Sequence, residues 1–195
     1  KIMIDVIYAI GLNLVLGVAG QFSLGHAAFI AVGAYSGAIF ATRHADLGGL
    51  WTGMLVGAVV AAVLAVLVGI PTLRLRGDYL AIATLGVSEI IRVVITNYKS
   101  LTNGPQGINA IPKVATWPLV YFFMVVTTIL ILNYFYSSAG RATYAIEQDE
   151  IAAESMGVNV TKYKVIAFVL GAITAAIGGA LYAGNIGVVT PGDFT

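Results

Sequence analysis

The sequence predicts an all-α protein, a polytopic transmembrane helix bundle with about six spanning helices in one domain over residues 1–195. Hydrophobic residues make up 59% of the chain and charged residues 10%, with mean hydropathy +0.93. Soluble domains carry roughly a quarter charged residues. Apolar runs also recur at the length, about 20 residues, that crosses a bilayer. Twenty-three glycines suit the close backbone approach by which helices associate in lipid.

The first expected span is 2–19. It runs into further spans without a small-residue cleavage site, so it is not a cleavable signal. The stretch GQFSLGHAAF (20–29) interrupts the apolar pattern before the second span, 23–42. Ser23 is placed to cap that helix and leave free backbone N–H groups at its start. Broken helices of this kind line substrate paths, which makes Gln21, Ser23, Gly25 and His26 candidate path residues. The alternative reading is a tight outer hairpin that holds a histidine. Metal binding at His26 is not expected, because His44 is the other histidine and the carboxylates lack ligand spacing.

The third span, 51–73, ends at Arg74 and Arg76, and Asp78 is expected to cap the fourth, 79–97. Glu89 then lies about 16 Å along that helix, near the bilayer midplane. Arg92, three residues on, shares its face and should pair with it. Such a pair either ties helices together or exchanges with a zwitterionic substrate as it passes. TNGPQGI (102–108) is turn chemistry between spans. The fifth and sixth spans are 117–136 and 163–183, and a seventh is expected to begin past residue 195, in a longer protein. Trp51 and Trp117 fall at expected outer ends, where aromatic belts form.

One polar stretch is dense. Of ten Lys/Arg and nine Asp/Glu residues, Arg141, Glu147, Asp149, Glu150, Glu154, Lys162 and Lys164 fall within 141–164. Asp149 can cap a short helix running to Met156, and Gly157 can end it in the left-handed conformation. Ala152 and Met156 are neighbours on that helix, with Ile151 close by, and Glu150 and Glu154 form an acidic row. Asn159 then caps the last span. A solvated connector or an interfacial helix is the plainer reading, but lipid-binding helices carry Lys/Arg on the polar face. A docking surface for another protein fits better. Alternating the loops places Arg74, Arg76, Arg141, Lys162 and Lys164 on one side and Lys1, Arg43, Lys99 and Lys113 on the other, which puts 141–164 in the cytoplasm.

Other classes are excluded or disfavoured. A net charge of +1 does not suit nucleic-acid binding. Without cysteine there are no disulfides or thiolate sites. The phosphate loop G-x-x-x-x-G-K-[ST], the elbow G-x-S-x-G and H-E-x-x-H do not occur, so catalysis within the chain is not expected.

Four stretches together resemble the permease subunits of branched-chain amino acid ABC importers, the LivM type: GLNLVLGVAGQFSLGHAAFIAVGAY (11–35), LRLRGDYLAIATLGVSEIIR (73–92), LTNGPQGI (101–108) and GRATYAIEQDEIAAESMGVNVTKYKVIAF (140–168). The resemblance covers nearly the whole chain in the family's order. It implies a multi-pass protein of a bacterial or archaeal cell (inner or plasma) membrane. The implied partners are two ABC ATPase subunits, a second homologous permease and an extracytoplasmic substrate-binding protein. ATP and Mg would be bound by the ATPase subunits, with no cofactor in this chain. The cytoplasmic loop 140–162 resembles the family's coupling loop: Ala152, Ala153 and Gly157 match its A-A-x-x-x-G portion, and Glu150 stands one position before its acidic residue. The ATPase-coupling candidates are therefore Asp149, Glu150, Ala152, Ala153, Glu154, Met156 and Gly157. Two alternatives stand beside this reading. One is the same machine with another cargo (urea or amide, nucleoside or sugar). The other is an ion-coupled carrier using Glu89 and Arg92.

Overall fold

A computed structural model describes residues 1–43, 46–73, 75 and 78–194, without the Asp78 side chain. The expected helix end at Arg74 and Arg76, the expected cap by Asp78, and His44 lie outside what it describes. The chain forms helices α1 (Ile2–Asn13), α2 (His26–Arg43), α3 (Leu47–Thr72), α4 (Asp78–Asn97), α5 (Lys99–Thr102), α6 (Trp117–Tyr136), α7 (Ser138–Gln148), α8 (Glu150–Ser155) and α9 (Val160–Ile186). A single antiparallel bridge, Ile108 with Val189, is the only sheet-type pairing among the described residues. The helical membrane bundle read from the sequence is the architecture found.

Among the described residues, four helices are long and apolar enough to cross a membrane: Leu47–Thr72, Tyr79–Asn97, Trp117–Tyr136 and Val160–Ile186. The other two expected spans are helical but different in character. Ile2–Val18 is shorter, and its last turn widens so that the Ala19 N–H reaches the Leu14 carbonyl at 3.1 Å. α2 starts at His26 and ends at Arg43, which lowers its apolarity. It can be less apolar because it sits inside the bundle, with Ala34, Ala38 and Ala41 wholly covered.

The core is built on α9. α2 and α3 pack along it, α1 runs along its middle and later turns, with Gly11 against Gly171 and Thr174 and Tyr8 against Gly178, and Phe29 at the start of α2 meets Phe168. Small residues make this possible. A Cβ at Gly33 would overlap the Ala176 backbone, and one at Gly179 would overlap the Ile30 carbonyl. Gly53 in turn brings α3 to within van der Waals reach of the Gly37 backbone. Between helices in lipid there is no hydrophobic gain, so this dispersion contact holds them together. α6 is joined more loosely, against α1, with the Phe123 ring tilted at 57° to that of Trp51 at 5.2 Å between centroids.

The two ends of the bundle are distinct. At one end, the Ile108 and Val189 backbones bond each other at 3.0 Å, and the Ala115 N–H donates to the Gly184 carbonyl at 3.2 Å. The TNGPQGI turn belongs here: Asn103 takes a left-handed φ of 61°, and the Thr102 hydroxyl closes onto the Ile95 carbonyl at 2.6 Å. At the other end lie α7, α8, the start of α9 and the break at 19–25.

Substituting Gly33→Val should cost about 3 kcal/mol, because neither backbone can retreat. Gly48→Ala, where nothing lies within 4 Å, should be neutral or slightly stabilising. Thermal melts in detergent followed by circular dichroism check both; equal melting temperatures would contradict the packing account.

Candidate functional site

At the 141–164 end the chain is far more ordered than a connector. The sequence reading missed α7. Ser137 caps it, accepting from the Gly140 N–H at 3.1 Å, and the Thr143 hydroxyl bonds Tyr134 Oη at 2.7 Å. Thr143 and Ile146 are buried, so α7 folds back onto the end of α6 by one face. The available signal was local: a serine cap followed by buried-type residues at i and i+3.

α8 forms as expected, ending one residue sooner. Asp149 Oδ1 accepts from the N–H groups of Ile151 and Ala152 at 2.9 and 3.0 Å, which satisfies two of the orphan donors at the helix start. Gly157 adopts φ +84°, with its N–H on the Glu154 carbonyl (2.9 Å) and the Val158 N–H on the Ala153 carbonyl (3.1 Å). These two bonds are the signature of a left-handed helix stop. Asn159 Oδ1 then accepts from the Lys162 N–H at 3.0 Å and starts α9. Ala153 faces inward, while Ile151 and Met156 project outward, Met156 84% exposed. Glu150 Oε2 pairs with Lys164 Nζ at 2.9 Å, a partly buried contact that the sequence did not disclose. Glu154 and Ala152 lie on the exposed side.

The GQFSLG break lies at this same end, not in an outer hairpin on the far side. Gly20, at φ +62°, packs on Glu147 so closely that a Cβ would meet its Cγ at 2.8 Å. Gln21 is buried, and its amide donates to the Lys164 carbonyl at 3.1 Å. Ser23 does not cap α2; its hydroxyl accepts from the Gly25 N–H at 3.3 Å, and the helix starts at His26. The reason is tertiary. The Leu24 N–H donates to Thr84 Oγ1 at 3.1 Å, and a Cβ at Gly25 would lie 3.1 Å from the Thr84 carbonyl, so the chain stays extended across α4. His26 Nε2 is buried with no hydrogen-bond partner among the described residues, beside a void of about 10 Å³ lined by Ser23, Phe29 and Phe168. Among the described residues no group of His, Asp and Glu side chains could hold a metal.

A second locus lies between α2 and α4. Leu24, Ala27, Leu85, Ser88, Glu89, Arg92 and Phe194 line a cleft of about 390 Å³. Glu89 and Arg92 pair as expected, at 2.9 Å (Nε) and 2.5 Å (Nη2). They are not enclosed, however: the Glu89 side chain is 53% exposed and the Arg92 side chain 42%. Hydropathy placed the pair along the helix but could not say which way the helix faces. The pair stands at the open rim of the cleft, and Ile82 and Ile90 of the same helix are exposed as well. Farther along the same groove the Tyr35 hydroxyl is buried without a partner among the described residues. The structure thus brings Leu24 and Ala27, next to the predicted Ser23, Gly25 and His26, to the same cleft as Glu89 and Arg92. Gln21 instead joins the 141–164 segment.

The whole of the chain, residues 1–195, matches the family described as branched-chain amino acid transport system / permease component. It is 35% identical to the LivM permease protein of the high-affinity branched-chain amino acid transport system of Salmonella typhimurium, and 34% identical to that of Escherichia coli. Each alignment covers 99% of this chain and 53% of the relative, so the chain spans about half the length of these curated relatives. LivH of Escherichia coli is 26% identical over 94% of this chain and 67% of its own length. No solved structure matches it.

Asp149→Ala and Gly157→Ala should each weaken α8 by about 1 kcal/mol, the first through the lost cap and the second through the left-handed φ. Amide exchange in 150–156 should accelerate about fivefold while α9 is unchanged. Unaltered exchange would show that the caps do not hold the helix.

Proposed function

The chain belongs to the branched-chain amino acid transport permease family, and we propose on that basis that it is the membrane-spanning permease subunit of an ATP-driven ABC importer for branched-chain or related hydrophobic amino acids. Its partners are two ABC ATPase subunits, a second homologous permease and an extracytoplasmic substrate-binding protein, in a bacterial or archaeal inner or plasma membrane. ATP and Mg stay on the ATPase subunits; this chain supplies the conduit and the lever.

The observation that carries this reading is the build of α8. A six-residue helix is far too short to be stable alone. Here it is fixed at both ends by its caps and from beneath by Ala153, yet it presents Ile151 and Met156 to the outside. A rigid projection with an apolar tip and an acidic flank suits insertion into a cleft of a partner protein on the cytoplasmic side. Closure of the ATPase pair then displaces α7 and α8 together, since the two helices pack on each other and share Asp149 as the end of one and the cap of the other.

The cleft between α2 and α4 is the proposed path. A carboxylate and a guanidinium half exposed on a spanning helix are costly against lipid, so they are expected to face water or protein. Glu89 offers an acceptor to an ammonium group and Arg92 a donor pair to a carboxylate. Leu24, Ala27, Leu85 and Phe194 offer an apolar wall.

Ile151→Glu with Met156→Glu should leave membrane insertion intact. Co-purification with the ATPase subunits and ATP-dependent leucine uptake in proteoliposomes should both fall at least tenfold. Uptake at the parent rate with the ATPase still attached would remove α8 from the coupling role.

A further inference from the structure

We propose that Gln21 is a positioning residue for transport, the tie through which α7 and α8 move the broken segment 19–25 and, with it, the wall of the α2/α4 cleft. This inference rests on the transport reading above and names the physical connection inside the chain that the reading requires.

Lys164 is the junction. Its ammonium pairs with Glu150 on α8 at 2.9 Å, and its backbone carbonyl, at the start of the second turn of α9, accepts from the Gln21 amide at 3.1 Å. One residue therefore holds the cytoplasmic helix by its side chain and the break by its main chain. Gly20 is pressed onto Glu147 next door, so the break is gripped at two consecutive residues by the 141–164 segment. On its other side the break is bonded to α4 through the Leu24 N–H and Thr84 Oγ1, at 3.1 Å. Leu24 itself lines the cleft with Glu89 and Arg92. The connection from α8 to the cleft is thus continuous through Glu150, Lys164, Gln21, Leu24 and Thr84.

The segment between these grips has the properties of a hinge. Residues 19–25 form no helix, and Gly20 and Gly25 sit at its two ends. Backbone of this kind absorbs φ/ψ change that a hydrogen-bonded helix resists. Gln21 is 1% exposed, and a side chain there for packing alone would be better apolar, since burying an amide costs unless it is fully bonded. Only half of it is bonded: Oε1 is buried with no partner among the described residues. A buried acceptor left open raises the free energy of the arrangement that leaves it so, which weakens the hold of the break on its present position.

The test uses the assembled transporter, with ATPases, second permease and binding protein, in proteoliposomes. The first reading is substrate imported per ATP hydrolysed. In Gln21→Leu, ATPase association and hydrolysis should stay within about twofold of the parent while import per ATP falls about tenfold. Lys164→Gln should uncouple in the same direction, and Lys164→Arg, which keeps the charge, should restore coupling to within about twofold. The second reading exploits the lack of cysteine in this chain. In the parent background, the thiol of Leu24→Cys should change its rate of alkylation when ATP is added, and Gln21→Leu should abolish that change. If Gln21→Leu does not assemble, both readings are taken in Lys164→Gln, which cuts only the tie to α8. An unchanged import-to-ATP ratio, or an ATP-dependent alkylation rate that survives these substitutions, overturns the proposal. Absence of ATP-dependent import in the parent would overturn the transport reading itself, a different result.

Discussion

The fold depends on α2 lying against α9 backbone to backbone. Gly33 and Gly179 remove the Cβ atoms that would hold the helices apart, so main-chain atoms of 30–37 and 176–180 touch directly. In a bilayer a larger apolar residue at either site gains nothing, because lipid is as good a neighbour as another helix. Only contact density distinguishes the bundled state, and contact density is highest where the side chains are smallest. α3 joins the same seam through Gly53 and Gly57. Everything else is hung on this trio: α1 along residues 171–181 of α9, α6 against α1, and α4 across the start of α2.

With that axis in place, both ends of α9 acquire separate duties. Its N-terminal turn meets α8 and the 19–25 break, and its C-terminal turn meets the Ala115 and Ile111 backbones. A spanning helix that carries hydrogen-bonded attachments at each end, and small residues between, transmits displacement along its length with little internal give. The proposed lever and the proposed cleft therefore share one rigid reference.

What could be read from the sequence was what is decided locally. The Asp149 cap, the Gly157 stop and the Asn159 cap each depend on residues within three positions, and each formed. The Glu89–Arg92 pair also formed, for it needs only helical spacing. The errors lie where distant residues decide. Ser23 had the right chemistry for a cap, but Thr84, sixty residues from Leu24, bonds the Leu24 N–H and holds the chain extended until His26. The exposure of the ion pair is set by which neighbours α4 lacks, which hydropathy does not encode. α7 was read as loop because its polar residues outnumber its two buried anchors, Thr143 and Ile146. Nothing in the spacing of Gln21 and Lys164, 143 residues apart, announced their bond.

The glycine seam also limits how the protein can move. Helices that touch through long side chains can slide, because the side chains change rotamer and let the ridges pass. Main-chain atoms have no rotamers to change. The stretches of α2, α3 and α9 that meet at these glycines are therefore expected to act as a stator, a block that turns as one piece or not at all. Relative motion is left to the parts outside that seam: α4, held to the block through Leu80 and the Thr84 hydroxyl, and the uncoiled residues before α2.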